Sequence, residues 1–245
     1  MSAATSEFEL AFVLHARSYQ ETSQIIEVLA SEHGRVGIVA RGARRPSSRW
    51  RSVLQPFQAV RLSWGGRGSL QTLRTAETVS QTTPLQGMAL MGAFYLNELI
   101  LNFIRRGDPH PGLFVAYARA LDELRQGPDP EPALRRFELS LLTEAGYGLN
   151  LDHDVLNDVA LDPHGSYEYR IEHGPMPAEA GQGALVLSGL TLLAISRGEL
   201  TDPGVLQSAK RLLRGVLAHY LDGRTLRTRQ VLASMRRVPA VPQLS

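Results

Sequence analysis

Apolar residues recur at every second position from Glu7 to Arg17, with Phe8, Leu10, Phe12 and Leu14 on one side, and this predicts a strand. Two short runs rich in Ile and Val follow, Gln24–Ala30 and Arg35–Ala40. The Ser31-Glu32-His33-Gly34 stretch between them reads as a hairpin turn with Gly34 at positive φ. Val53–Trp64 and Leu70–Thr75 make a second hairpin around Gly65-Gly66-Arg67-Gly68. Five short strands in about 75 residues match a small Greek-key barrel in size. Between the third and fourth strands Pro46 stops the strand, and Ser47–Arg51 form a short helical connector.

At Pro84 the period changes to that of a helix. Leu85–Ile104 carries apolar residues all round, the mark of a buried central helix. Amphipathic helices are predicted over Leu113–Leu124 and Pro132–Ala145, the latter ended by Gly146. Residues 147–186 are acidic, turn-rich and poor in aliphatics. Within them Ser166–Arg170 alternates between Gly165 and Gly174, so a small β-hairpin insert is expected. Helices resume over Ser188–Ser196, Pro203–Tyr220 and Thr225–Met235. Asp202 is placed as an N-cap with Pro203 at the first helical position, and the proline-containing tail from Val238 is expected to fray. The fold class is therefore α+β. Residues 1–81 form the barrel, 82–146 a helical domain, 147–186 the insert, and 187–245 the helices that complete the helical domain plus a basic tail.

Charge changes this picture more than composition does. The net charge is only +2, yet residues 1–81 carry +4, residues 82–202 carry −9 and residues 203–245 carry +7. Two basic ends around an acidic middle point to a polyanion partner at the ends. The cations are 25 Arg and one Lys; a preference for the bidentate phosphate fork and a GC-rich coding sequence both produce that bias. With no cysteine there are no disulfides and no thiolate zinc site. Neither a signal peptide nor an uncharged apolar stretch of membrane-spanning length is visible, so a cytoplasmic protein without membrane contact is expected.

Enzyme signatures are missing. Lys210, the single lysine, follows no glycine-rich phosphate loop, and there is no G-x-S-x-G elbow. Glu138 and Glu144 lie six residues apart on different helix faces, a poor acid–base pair. His153, His164 and His173, with Asp152, Asp154, Asp158 and Asp162, read either as a divalent-metal site or, more simply, as a solvated acidic face. No catalytic residue, cofactor or metal is assigned.

The positive signals concern binding. Nine arginines and no acid lie between His33 and Ala76. Arg35, Arg41, Arg44, Arg45, Arg49, Arg51, Arg67 and Arg74 are the candidate phosphate contacts. Trp50, Phe57 and Trp64 are either base-stacking surfaces or barrel core. A second basic cluster comprises Lys210, Arg211, Arg214, Arg224, Arg227, Arg229, Arg236 and Arg237. Its first five members are candidate DNA contacts or a solubilising face.

AFVLHARSYQETS, HGRVGIVARGARRPSS, LQPF, GGRG, FYLNELI, PEPALRRFELSLL and LDGRTLRTR, in order over most of the chain, resemble the RecO family of bacterial recombination mediators. That resemblance implies an N-terminal five-stranded OB-fold, a helical domain and an insert that in many members is a four-cysteine zinc module, from which this cysteine-free chain departs. It also implies a protein of DNA repair that works without catalysis. The implied partners are single- and double-stranded DNA, the acidic C-terminal tail of single-stranded DNA-binding protein, RecR and, indirectly, RecA, with complementary strands annealed without ATP. The match to the LRRFE segment makes Arg135 the first candidate for the tail's carboxylate and Arg136 the second; ion pairs with Glu131 or Glu138 are the competing role. The rival reading is a nucleic-acid-binding scaffold that does not anneal.

Overall fold

Five antiparallel or parallel pairings close the first part of the chain on itself. Strands β1 (Glu9–Tyr19), β2 (Ser23–Ala30), β3 (Gly34–Ala40), β4 (Ala59–Gly65) and β5 (Gln71–Thr78) form a barrel in the order β1-β2-β3-β5-β4, with β4 returning to β1. This is the OB arrangement, in which only the β3–β5 pairing is parallel. The computed structural model describes residues 8–66, 68–80, 82–178 and 185–235. Arg67, Arg236, Arg237 and the tail from Val238 lie outside the described residues.

The barrel is buried on two sides, which the alternating pattern alone does not reveal. Ala11 and Val13 line its interior with Ile26, Val28, Ile38, Leu62 and Trp64. Phe12 and Leu14, on the opposite face of β1, join the core of the helical region. Phe8 and Leu10, earlier on that same face, stay exposed. Gly34 has the expected positive φ of 62°. The fourth strand is shorter than its apolar run suggests. Trp50–Val53 form helix α1, and Phe57 adopts a φ of 67°, so the ladder begins only at Ala59. A side chain in the left-handed region costs conformational energy. Here Phe57 is held by an edge-on contact with Phe94, ring centroids 4.9 Å apart, and by a hydrogen bond from the Arg125 guanidinium to its carbonyl.

Helices α2 (Gly87–Phe103), α3 (Pro111–Gln126) and α4 (Glu131–Glu144) pack into the main core. α2 is central but not wholly buried, since Met88 and Phe94 remain substantially exposed. The insert is larger than one hairpin. Strands β6 (His153–Asp154) and β7 (Val159–Ala160) make one small sheet. Strands β8 (Ser166–Arg170), β9 (Gly174–Pro177) and β10 (Val186–Ser188) make another, in the order β10-β8-β9. Helix α5 (Gly189–Ser196) is capped by the Ser188 hydroxyl, and α6 (Pro203–Tyr220) by Asp202, whose Oδ1 accepts the Val205 N–H at 2.9 Å. Glu98 of α2 accepts the backbone N–H groups of Arg227 and Thr228 at 2.7 and 3.0 Å, docking the start of α7 (Arg227–Met235) against α2.

Polar contacts lock the barrel to the helices. A bulge in β1 between Val13 and His15 breaks the ladder near Leu14, whose carbonyl accepts the Asn97 side-chain N–H at 2.7 Å. The buried Tyr117 hydroxyl donates to the other end of that amide at 2.5 Å. Further along, the segment after α2 runs beside β3, and Gly107 donates its N–H to the Arg35 carbonyl at 2.8 Å. The approach is so close that a Cβ on Gly34 would sit 1.9 Å from the Asp108 carbonyl oxygen.

Candidate functional site

The outer face of β2 and β3, a usual OB ligand surface, is partly covered by the chain itself. Glu27 of β2 is buried there and bonded by Arg35 Nε at 2.9 Å and by the Arg106 guanidinium. Arg35 also donates from one terminal nitrogen to the carbonyls of Leu101 and Ile104 at 2.8 and 2.9 Å. Burial alone would push the Glu27 carboxyl up, but the Arg106 and Arg35 hydrogen bonds outweigh it and hold it below the ordinary carboxylate range. The run of cations predicts Arg35 as a phosphate contact. Its guanidinium is instead committed to internal partners and ties the barrel to α2. The signal available in the sequence is Glu27, eight residues upstream and diagonal to Arg35 across the β2–β3 hairpin, where Glu27 faces Gly37 and Arg35 faces Leu29.

The next five arginines of the acid-free stretch behave differently. Arg41, Arg44, Arg45, Arg49 and Arg51 are all exposed, and among the described residues none of them forms an ion pair. The first four lie on the segment between β3 and α1, which is tied to the tip of the β1–β2 hairpin, and Arg51 lies within α1. Arg44 donates its N–H to the Thr22 carbonyl at 2.8 Å, and its side chain reaches the Glu21 carbonyl at 3.3 Å. Arg41, Arg44 and Arg45 thus sit past the end of β3 beside the β1–β2 loop, which is the second usual OB contact region, and Arg49 and Arg51 follow at α1. Arg17, exposed on β1 close to that tip, was not singled out because it stands apart in sequence. Arg74 is exposed on β5; a Cβ at Gly65 would lie 2.8 Å from its Nε, so glycine lets that guanidinium lie flat against β4.

The aromatic candidates divide. Trp64 and Phe57 are buried, as core residues are. Trp50 packs partly against the barrel core, and the Arg49 guanidinium carbon sits 4.2 Å from its ring centroid, occupying one face.

Arg135 and Arg136, adjacent in sequence, point to different surroundings. Arg136 pairs with Glu123 of α3, its terminal nitrogen 2.8 Å from Oε2. Arg135 is only 5% exposed and meets the fully buried Glu138 at 3.0 Å. Burial pushes the Glu138 carboxyl up despite the pull of Arg135. The Tyr95 hydroxyl donates to Glu138 and accepts from Arg229 at 3.0 Å. Tyr95, Arg135 and Arg229 border a cavity of about 260 Å³ whose apolar part comes from Met88, Gly92, Pro130 and Leu134, with Glu131, Lys210 and Arg214 also in its wall. A second hollow of about 470 Å³, lined by Pro203, Leu206, Gln207 and Arg211, shares Glu131, Lys210 and Arg214 with the first.

So Lys210, Arg211 and Arg214, read from sequence as DNA contacts, share one groove with Arg135. Arg224 and Arg227 are exposed but do not line it. Tyr95 was missed because its hydroxyl role depends on α2, α4 and α7 meeting. The groove offers an apolar slot beside guanidinium and ammonium groups, the chemistry that receives an apolar residue with a carboxylate. In the insert, His153 pairs with Asp158 at 2.9 Å and His173 bonds the Ile171 carbonyl at 3.2 Å. Among the described residues no three His, Asp or Glu side chains converge on a metal position. Among the described residues no helix is long and apolar enough to cross a membrane.

Comparison with known proteins places this architecture. Residues 7–82 match the family model "Recombination protein O N terminal", and residues 85–230 match "Recombination protein O C terminal". DNA repair protein RecO of Azoarcus sp. (strain BH72) is 45% identical over 92% of this chain and 94% of its own length. The protein of the same name from Nitrosospira multiformis is 44% identical over 95% and 97%. That of Methylococcus capsulatus is 43% identical over 91% and 92%.

Proposed function

The chain belongs to the RecO family, whose role lies in DNA repair and recombination, and from that premise we propose that it is a non-enzymatic strand-annealing mediator. It grips DNA, engages the acidic C-terminal tail of single-stranded DNA-binding protein, and works with RecR to load RecA. The observation that carries this reading is the set Arg41, Arg44, Arg45, Arg49 and Arg51, all exposed from the end of β3 into α1, the first three beside the β1–β2 loop, with no carboxylate partner among the described residues. Pairing of complementary strands is downhill, and phosphate repulsion slows it. Guanidinium groups held on a rigid barrel neutralise both backbones at once, so the protein lowers that barrier without bond chemistry or ATP.

The groove at Arg135 supports the second engagement. A tail with an apolar end and a free carboxylate would seat its side chain on Met88, Gly92 and Leu134 and its charge near Arg135 and Lys210. Arg136, held by Glu123, lies apart from that groove and is not proposed as a contact.

An annealing assay with two labelled complementary oligonucleotides, run bare and coated with single-stranded DNA-binding protein, tests the reading. The variant with Arg41, Arg44 and Arg45 changed to Gln should anneal slowly on both substrates. Arg135→Ala should anneal bare strands normally and fail on coated ones. Binding without any acceleration of annealing would leave a nucleic-acid scaffold in place of a mediator.

A further inference from the structure

The two hollows of the helical region meet at one ion pair. Glu131, the first residue of α4, accepts from Lys210 Nζ of α6 at 2.6 Å. Its other oxygen lies 3.8 Å from the Arg135 guanidinium and is buried without a hydrogen-bond donor. Arg135 Nε and Glu138 Oε2 are likewise buried and unpaired. Glu131, Lys210 and Arg214 line both cavities, so a carboxylate of the chain itself occupies the cations at the junction.

We propose that Glu131 is a specificity-determining residue of this groove: it competes for Lys210 and Arg135 and so sets how much negative charge a peptide must bring in order to bind. The inference rests on the peptide-binding reading of the groove given above. A peptide carrying only its terminal carboxylate exchanges one anion for another at Lys210 and gains little charge energy. A peptide with further acids next to its apolar end also reaches Arg211 and Arg214, exposed in the adjoining hollow, and gains contacts that Glu131 does not already make. Lone carboxylates, abundant on protein termini, are thereby rejected, and acidic runs are accepted.

The test uses the full chain and two fluorescent peptides with the same apolar C-terminal residue and free carboxylate. One carries an acidic run before that residue, and in the other the acids are replaced by Ser and Gln. For the wild type, binding of the acidic peptide and much weaker binding of the neutral one are expected. Glu131→Gln keeps the size and an acceptor for Lys210 but removes the competing charge. It should tighten the single-carboxylate peptide on the order of tenfold and narrow the gap between the two. Glu131→Ala should act in the same direction, which guards against a local effect of the glutamine. Lys210→Gln should weaken both peptides. Unchanged or weaker binding of the single-carboxylate peptide by both Glu131 variants, with wild-type binding of the acidic peptide intact, overturns the role of Glu131 alone. A wild type that binds neither peptide overturns the peptide-binding reading, and this inference with it.

Discussion

Arg35 Nε stands 2.9 Å from Glu27 Oε2, and the Arg106 guanidinium takes the same carboxylate from the far side of the interface. One buried acid therefore holds two cations, one from the barrel and one from the segment that follows α2. Without Arg35 the carboxylate keeps Arg106, but one charge-assisted bond is lost and the carbonyls of Leu101 and Ile104 are left without their donor. Arg35→Ala should lower stability to unfolding by about 3 kcal/mol. Because the guanidinium faces inward, DNA affinity per folded molecule should stay at the wild-type value. Chemical denaturation and an anisotropy titration on the same preparation check both halves. A stable variant with weakened DNA binding would return Arg35 to the DNA surface.

Acid should loosen the same contact. The Glu27 carboxyl is held below its ordinary value of 4.5. A group with a depressed folded pKa contributes stability that is complete above the unfolded value and lost as pH falls through the folded one. The loss therefore belongs to the range below about pH 4.5 and leaves neutral pH untouched. Glu123, depressed by Arg136 and Arg119 against its own burial, has the same sign. Glu138, raised by burial, has the opposite sign and partly offsets them. In thermal melts from pH 7 down to pH 3, Glu27→Gln should start less stable and show a shallower fall in Tm than the wild type. Parallel curves would mean that Glu27 is not depressed in the fold.

Local signals in the sequence held where local physics decides. The Gly34 turn, the Asp202–Pro203 helix start and the change of period at Pro84 all correspond to elements found. What failed depended on a second surface. Val53 reads as strand because it is β-branched, yet it closes α1 and packs under the barrel. Arg35 reads as one more cation in a basic run, because the acid that claims it is reached only by folding the hairpin. Arg135 and Arg136 read as a pair, but a helix turns successive residues by about 100° and sends them to different neighbours. The groove itself is assembled from α2, α4, α6 and α7, so no single stretch of sequence could outline it.

The insert, which lacks cysteines, is knit by side chain to backbone bonds. Asp154 is 3% exposed; its Oδ1 accepts the Leu156 N–H at 2.9 Å, and its Oδ2 accepts from the Asn157 amide at 2.8 Å. Asn150 bonds the His153 carbonyl at 3.0 Å and its N–H at 3.1 Å, and the Tyr167 hydroxyl accepts the Asp162 N–H at 2.9 Å. Asp154→Ala removes a buried acceptor from donors on the exposed Leu156 and Asn157 and should cost about 1 kcal/mol. The loss should appear as faster amide hydrogen exchange over 150–177, with the barrel amides unchanged. Added chelator should leave the wild-type Tm where it was. Uniform exchange across the insert in both proteins would show that Asp154 does not hold it.

The arginines at the barrel end carry a quantitative signature. Each phosphate contacted on a single strand contributes about −0.7 to the slope of log K against log salt. Replacing Arg41, Arg44 and Arg45 together by Gln should therefore flatten that slope by about 2 and weaken binding most at low salt. All three are exposed, so Tm should hardly move. Arg35→Ala gives the contrast, with lower Tm and an unaltered slope. Titrations of a labelled oligonucleotide from about 50 to 200 mM salt separate the two classes of arginine on a single plot. A triple variant with the wild-type slope would move the phosphate path off this end of the barrel and onto cations elsewhere in the chain.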